Sequence, residues 1–307
     1  ALVTEPAAGL PGLAVLVRQL DQVADPLHDD DFQLALALSY ELHFRGLQGV
    51  DDSWEWQPDL LWLRAFMESR FEATLRQAVS VEDPGNVEIA AALAQLVQAG
   101  AGELSRYLAR RATLDQFQSF VAQRSIYHLR EADAHTFGIP RLDGRTKSAL
   151  VEIQTDEYGG GQPGRTHAEL FAQLMREIGL SDTYGEFWDD ALPEMFAVVN
   201  VMSMFALHRR NLAALLGHLA ALEMTSTDPN RRYGNGLRRL GFGPAATRFY
   251  DEHVEADAVH EQLAAVDLCG SYVAAHPDQR PEVLFGAGAC LALDDRFAGA
   301  LVANWSR

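Results

Sequence analysis

Lysine is nearly missing from this chain. Of its 307 residues only Lys147 is a lysine, so the 25 basic residues are almost all arginine. Schiff-base chemistry is thereby close to excluded, and a phosphate-binding loop needs a Gly-Lys-Ser/Thr that does not occur. Cysteine is scarce too: Cys269 and Cys290 are too few for a disulfide framework or a thiolate zinc site. Alternating β-branched and aromatic runs bounded by turns, the mark of strands, are close to absent. No apolar run reaches about 18 residues, and no basic stretch followed by an apolar one opens the chain. Neither a membrane span nor a leader is therefore expected, and the expected location is cytoplasmic. Positive charge is in deficit. With 43 acidic residues the net charge is −18, which argues against a nucleic-acid partner, because neutralising phosphates takes a basic footprint. What remains is an ordinary globular composition, 48% hydrophobic and 22% charged, long enough for one large domain or two smaller ones.

Nearly every long segment reads at helical period. Apolar residues recur at three- and four-residue spacing from Pro11 to Val23, and Phe32–Phe44 is rich in the strong helix formers Leu and Ala. The pattern continues over 59–79, 87–97, 114–134, 147–157, 166–178, 184–188, 193–224, 245–276 and 281–305. The fold class predicted is all-α. A soft boundary at Ala99-Gly100-Ala101-Gly102 suggests an N-terminal helical arm over 1–112, for support or dimerisation, and a core over 113–307. Two segments read as loops from their glycine and proline. One is Tyr158-Gly159-Gly160-Gly161-Gln162-Pro163-Gly164; the other runs from Thr225 to Gly243. Neither has the spacing or the preceding strand of a dinucleotide fingerprint.

The sharpest chemical feature is His253-Val-Glu-Ala-Asp257-Ala-Val-His260. On a helix, offsets of four and seven place these three side chains within about 60° of arc. Two imidazoles and a carboxylate on one face suit iron, manganese or zinc. Alone, the pattern also fits a solvated face, and its company decides. Glu223 ends an otherwise apolar helical stretch and needs a partner if it faces the buried stripe. Glu131 sits among Ile126, Tyr127 and Leu129; His167 follows Thr166, which reads as an N-cap; Glu157 lies just before the glycine loop. Jointly these residues offer four carboxylates and three imidazoles on separate helices, as a carboxylate-bridged di-metal site in a bundle requires. Two relatives of that idea fail. The ferritin-like class needs Glu-x-x-His, which occurs nowhere, and His260-Glu261-Gln-Leu-Ala lacks the second histidine of a zincin.

At these residues the chain resembles the heme-oxygenase-like di-iron oxidases, often called iron-containing redox enzymes. Their third core helix carries His-x-x-x-Asp-x-x-His, matched by His253, Asp257 and His260, and a glutamate about thirty residues earlier is matched by Glu223. The first core region gives a glutamate and a histidine, which look like Glu131 and His167. N-oxygenating members add a carboxylate ten residues before that histidine, and Glu157 has that spacing. The segment from Glu41 to Trp56 resembles the family as well. The resemblance implies a heme-oxygenase-like helical bundle with an N-terminal helical arm. It implies two iron ions held by Glu131, Glu157, His167, Glu223, His253, Asp257 and His260, with O2 as co-substrate and an external electron donor. Activity is then expected through a peroxo-diferric species that N-oxygenates an amine or guanidine nitrogen of a small, amino-acid-like molecule in a biosynthetic pathway. Glu157 would have the catalytic role of favouring the oxidised state. The alternative in the same family is oxidative C–C cleavage or desaturation of an amino or fatty acid. Some N-oxygenating members continue into a cupin domain, which this sequence, ending at Arg307, is expected to lack. Two further expectations come from the residues. Trp54, Trp56 and Trp62 read as exposed and suited to a homodimer, and Arg231, Arg232, Arg238 and Arg239 read as a solvated loop within reach of a substrate carboxylate.

Overall fold

The structure is a computed structural model describing residues 12–98 and 102–305, the side chains of 256–259 excepted. The fold is all-α, with no strand among the described residues. Residues 99–101 of the expected arm boundary, and the side chain of Asp257, lie outside the described residues. In chain order the helices are α1 (Leu13–Asp21), α2 (Asp30–Glu41), α3 (Pro58–Ala78), α4 (Ile89–Gln98), α5 (Glu103–Arg110), α6 (Leu114–His128) and the single turn α7 (Asp133–Thr136). There follow α8 (Gly144–Glu157), α9 (His167–Glu177), α10 (Pro193–Leu207), α11 (Leu212–Arg239), α12 (Pro244–Gln262), α13 (Ser271–Ala275) and α14 (Arg280–Trp305). Between α12 and α13 the segment Leu263–Gly270 is π-helical.

Local chemistry sets most of the starts. Asp29 caps α2 by accepting from the Phe32 N–H, and Pro58 and Pro193 open α3 and α10, where a missing N–H costs nothing. Thr113 with Gln116, and Thr166 with Glu169, form reciprocal capping boxes at α6 and α9. α10 is the centre of the bundle, buried continuously from Met195 to Ala206 and enclosed by α2, α6, α7, α11 and α14. α11 packs along both α12 and α14, and α5 lies across α11.

Several elements differ from the sequence reading. The segment Thr225–Gly243 is not a loop: α11 runs through Pro229 to Arg239. Proline removes one helical hydrogen bond and crowds the preceding turn, but packing on α5 and α12 carries the helix past it. The glycines there serve close approach. A Cβ at Gly236 would stand 2.7 Å from the Leu108 carbonyl at the end of α5. The four arginines are engaged on this helix: Arg231 and Arg232 pair with Asp228, Arg238 with Asp251, and Arg239 donates to the Leu108, Ala109 and Ala112 carbonyls. Arg238 and Arg239 tie α11 to α12 and to the end of α5, while Arg231 pairs within its own helix. The run 193–224 is broken at His208–Asn211, residues 184–188 form turns, and 114–134 is divided after His128. Trp54 is buried, 4% exposed, whereas Trp56 and Trp62 are exposed. No helix among the described residues is long and apolar enough to cross a membrane.

The crossing of α11 over α14 is set by two reciprocal glycines. A Cβ at Gly217 would overlap the Val283 carbonyl, and one at Gly286 would overlap the Ala214 carbonyl. Both clashes are with backbone, so only separation of the helices relieves them. Gly217→Ala or Gly286→Ala gains about 1 kcal/mol of helix propensity but meets an overpacking cost of about 1–3 kcal/mol or more. We expect each to lower the denaturation midpoint, with the double variant worse than either. A midpoint raised by either alanine would show that the helices are not in contact there.

Candidate metal centre

Five elements deliver the predicted residues to the bundle interior. Glu131 lies on the turn after α6, Glu157 ends α8, His167 opens α9, Glu223 lies inside α11, and His253 and His260 stand two turns apart on α12. All six are buried. They assemble into two groups that share one residue: donor atoms of Glu131, Glu157, His167 and His253 lie within 4.8 Å of one another, as do those of Glu157, Glu223 and His260. The loop 158–166 makes the sharing possible. Gly159, Gly160, Gly161 and Gly164 all have positive φ, and a Cβ at Gly159 would meet the Arg165 backbone. This tight reversal places Glu157 Oε2 2.8 Å from His167 Nδ1. Asp257 stands on α12 between the two histidines.

Two of the three imidazoles are turned by a partner on their outer side. His253 Nδ1–H donates to the Phe249 carbonyl at 2.8 Å, since a carbonyl can only accept, and this turns Nε2 toward Glu131, 3.6 Å from its Oε1. His260 Nε2–H donates to Asp156 Oδ2 at 3.0 Å, which leaves Nδ1 facing Glu223 Oε2 at 3.3 Å. Such carboxylate or carbonyl partners fix tautomer and ring angle in metal-binding histidines. His128, stacked on Phe171 and Phe249, donates Nδ1–H to Glu131 Oε1 at 2.8 Å. The sequence alone marks neither His128 nor Asp156 as a partner of the centre. The only available signal was an acidic pair, Asp156-Glu157, whose members point about 100° apart on a helix, one inward and one to solvent.

Electrostatics favour a cation. Burial opposes ionisation of Glu131, but His128 and His253 outweigh it and hold its carboxyl well below the usual carboxylate range. Burial likewise opposes protonation of His260, but Glu223, Asp156 and Glu157 outweigh it and push its pKa up to about 9, so a metal ion must displace a proton there. The donor set passes a further test. Glu131 Oε2, His167 Nδ1 and His260 Nδ1 are buried with no hydrogen-bond partner. Orphaned buried groups cost about 1–3 kcal/mol each, and donor atoms around one first-row ion stand about 3 Å apart, near the separations seen here. Two imidazole–carboxylate groups sharing a carboxylate fit a pair of such ions.

Beside this centre lies a cleft of about 340 Å³ whose lining includes His167, Asp156, Gly159, Arg165, Glu252 and Glu255. Arg165 pairs with Glu252 at 3.9 Å. Phe171, Phe249, Tyr250, Met202 and Phe205 are part of the core.

An all-helical bundle enclosing two carboxylate–imidazole groups is of the class of helical proteins whose interior can hold a pair of metal ions. A CADD-like protein of unknown function from Nostoc punctiforme PCC 73102 has a similar fold, with a TM-score of 0.53 at 15% identity, covering 77% of this chain and 96% of that one. The chain belongs to the iron-containing redox enzyme family, whose model matches residues 118–295. It is also similar to nitrosourea synthase of Streptomyces achromogenes subsp. streptozoticus, 25% identical over 144 residues. That match spans 47% of this chain and 31% of the relative's length.

A buried histidine pair lies near the centre. His135 Nε2 is 3.3 Å from His218 Nδ1. Burial pushes His135 down to about 4, against the pull of Glu157 and Glu131, and lowers His218 well below its usual value. The unfolded chain therefore takes up protons from pH 6.5 downward that the folded chain refuses. Stability contributed by keeping these rings neutral is full above that value and lost as pH falls toward 4, by up to about 1.4 kcal/mol per pH unit per histidine. Denaturant titrations of wild type and His135→Leu from pH 7.5 to 4.5 should show the wild type losing stability more steeply. Parallel curves would refute the assignment.

Proposed function

We propose that Glu131, Glu157, His167 and His253 hold one iron, that Glu157, Glu223 and His260 with Asp257 hold a second, and that the protein is an O2-dependent di-iron oxidase acting on a nitrogen of a small molecule. The observation that carries this reading is Glu157, common to both donor groups, because a shared carboxylate keeps two ions close and compensates their charge as oxidation state changes. When bound, the metal pair supplies activation of O2. The net reaction is R–NH2 + O2 + 2 e⁻ + 2 H⁺ → R–NHOH + H2O, with the electrons coming from an external donor.

The chain's own residues bind, orient and exclude water. The Phe249 carbonyl and Asp156 hold His253 and His260 in their tautomers. Phe171 and Phe249 wall the Glu131 side against water. In the cleft, Asp156, Glu252 and Glu255 compensate the charge of an ammonium or guanidinium, and the Arg165 fork suits a substrate carboxylate. Similarity to a protein named nitrosourea synthase supports nitrogen as the oxidised atom, since a nitrosourea carries an oxygenated nitrogen.

Anaerobic Fe(II) titration with metal analysis should give roughly two irons per chain. Glu131→Ala should cost about one iron and Glu157→Ala both, because only Glu157 belongs to both groups. Fe(II)-loaded protein given O2, a reductant and a panel of amino acids and guanidines should yield a product heavier by oxygen on nitrogen. A shortened or unsaturated product would move the reading to C–C or C–H chemistry, and no retained iron would end it.

A further inference from the structure

Glu131 stands on the most strained backbone described. The next residue, Ala132, has φ 72° and ψ −26°, and it is the only non-glycine residue at positive φ among the described residues. A side chain there meets the backbone, a cost that persists only where surrounding structure imposes it. Two residues on either side of Glu157, one in α8 and one just after it, impose it. Gln154, 3% exposed, donates its Nε2–H to the Ala132 carbonyl at 3.1 Å. The Tyr158 hydroxyl donates to Asp133 Oδ1 at 3.0 Å and lies 2.9 Å from Thr136 Oγ1, on the turn that follows.

We infer that Gln154 and Tyr158 are positioning residues that hold the strained Ala132 turn and so aim the Glu131 carboxylate into the centre. The helix that supplies the shared carboxylate thereby also fixes the carboxylate facing it. Removing the Gln154 amide frees the turn to relax toward negative φ, and Glu131 swings with it. Glycine at 132 has no such drive, because both signs of φ are open to it. The strain and the clamp are therefore energetically coupled, and a glycine should rescue the loss of the clamp.

The inference rests on Glu131 being a ligand, as proposed above, and one experiment separates the two. Co(II) is titrated into metal-free protein and followed by visible absorbance, for wild type, Gln154→Leu, Ala132→Gly and the double variant, with circular dichroism confirming the fold. Gln154→Leu should weaken one of the two binding steps by about tenfold, the cost usual for an outer partner of a ligand, and leave the other near wild type. Ala132→Gly alone should bind as wild type, and the double variant should recover most of the loss. Should Gln154→Leu not fold, Tyr158→Phe, which removes one hydroxyl, carries the same comparison with the same glycine rescue expected. Wild-type uptake with unchanged Gln154→Leu affinity overturns this inference alone, as does equal loss of both steps or failure of glycine to rescue. No Co(II) uptake by the wild type overturns the metal-centre reading and this inference with it.

Discussion

Three carboxylates are buried together in a bundle with a largely aliphatic and aromatic interior, and the architecture around them answers to that burial. Like charges within a few ångströms in low dielectric cannot all persist without compensation. Three imidazoles supply part of it from three directions, each against a particular carboxylate: His167 on Glu157, His253 on Glu131, His260 on Glu223. Against burial, Glu223, Asp156 and Glu157 favour a charged His260, yet Glu131 Oε2, His167 Nδ1 and His260 Nδ1 still make no well-formed hydrogen bond. The arrangement is costly as an apolar core and costly as a hydrogen-bond network. It is favourable as a cage for cations, and it agrees with membership of an iron-containing family.

Long helices serve this requirement by reaching the same interior point from different sides. α11 is held against α14 at backbone contact through Gly217 and Gly286, a spacing only glycine allows. That contact fixes the axial position of α11, and hence of Glu223 two turns further on. The same helix continues through Pro229 to dock on α5, so the N-terminal helices and the centre share one hydrophobic core. The His260–Asp156 bond ties the rotation of α12 to α8, while the Phe249 carbonyl fixes the His253 ring within its own helix.

Legibility in the sequence followed how local each signal was. Thr166 announced the start of α9 because a capping box is complete within four residues, and the face of His253 and His260 followed from helical periodicity. The segment Thr225–Gly243 misled, because its Asp-Pro-Asn and Gly-Asn-Gly are turn signals in isolation. What makes it helical is α5 and Tyr250 pressing on Gly234 and Gly236, partners distant in sequence. Trp54 misled for the same reason, as its burial depends on the surrounding fold. Glu131, Glu157 and Glu223 could be nominated as types at plausible spacings. That Glu157 belongs to both groups depends on how five elements converge, and no local pattern encodes it.

α8 is where these dependencies meet. Its last residue, Glu157, is common to both groups; Asp156 holds His260 of one, and Gln154 and Tyr158 hold the turn bearing Glu131 of the other. At its opposite end, Thr146 hydrogen-bonds Ser271 at 2.6 Å and Arg145 pairs with Asp267, which ties α8 to the π-helical segment that follows α12. A π-helical turn carries one extra residue and shifts the side chains after it around the helix axis. Here the shift falls just beyond the last histidine, so α12 keeps a regular helical register across His253 and His260 before the chain changes face to meet α8. The last turn of one short helix and the residue after it thus touch both groups of the centre. A displacement of α8 would alter both groups together, whereas a displacement of α9 or α11 would alter one. α12 likewise carries one histidine of each group, so α8 and α12 are the elements through which the two halves of the site sense each other.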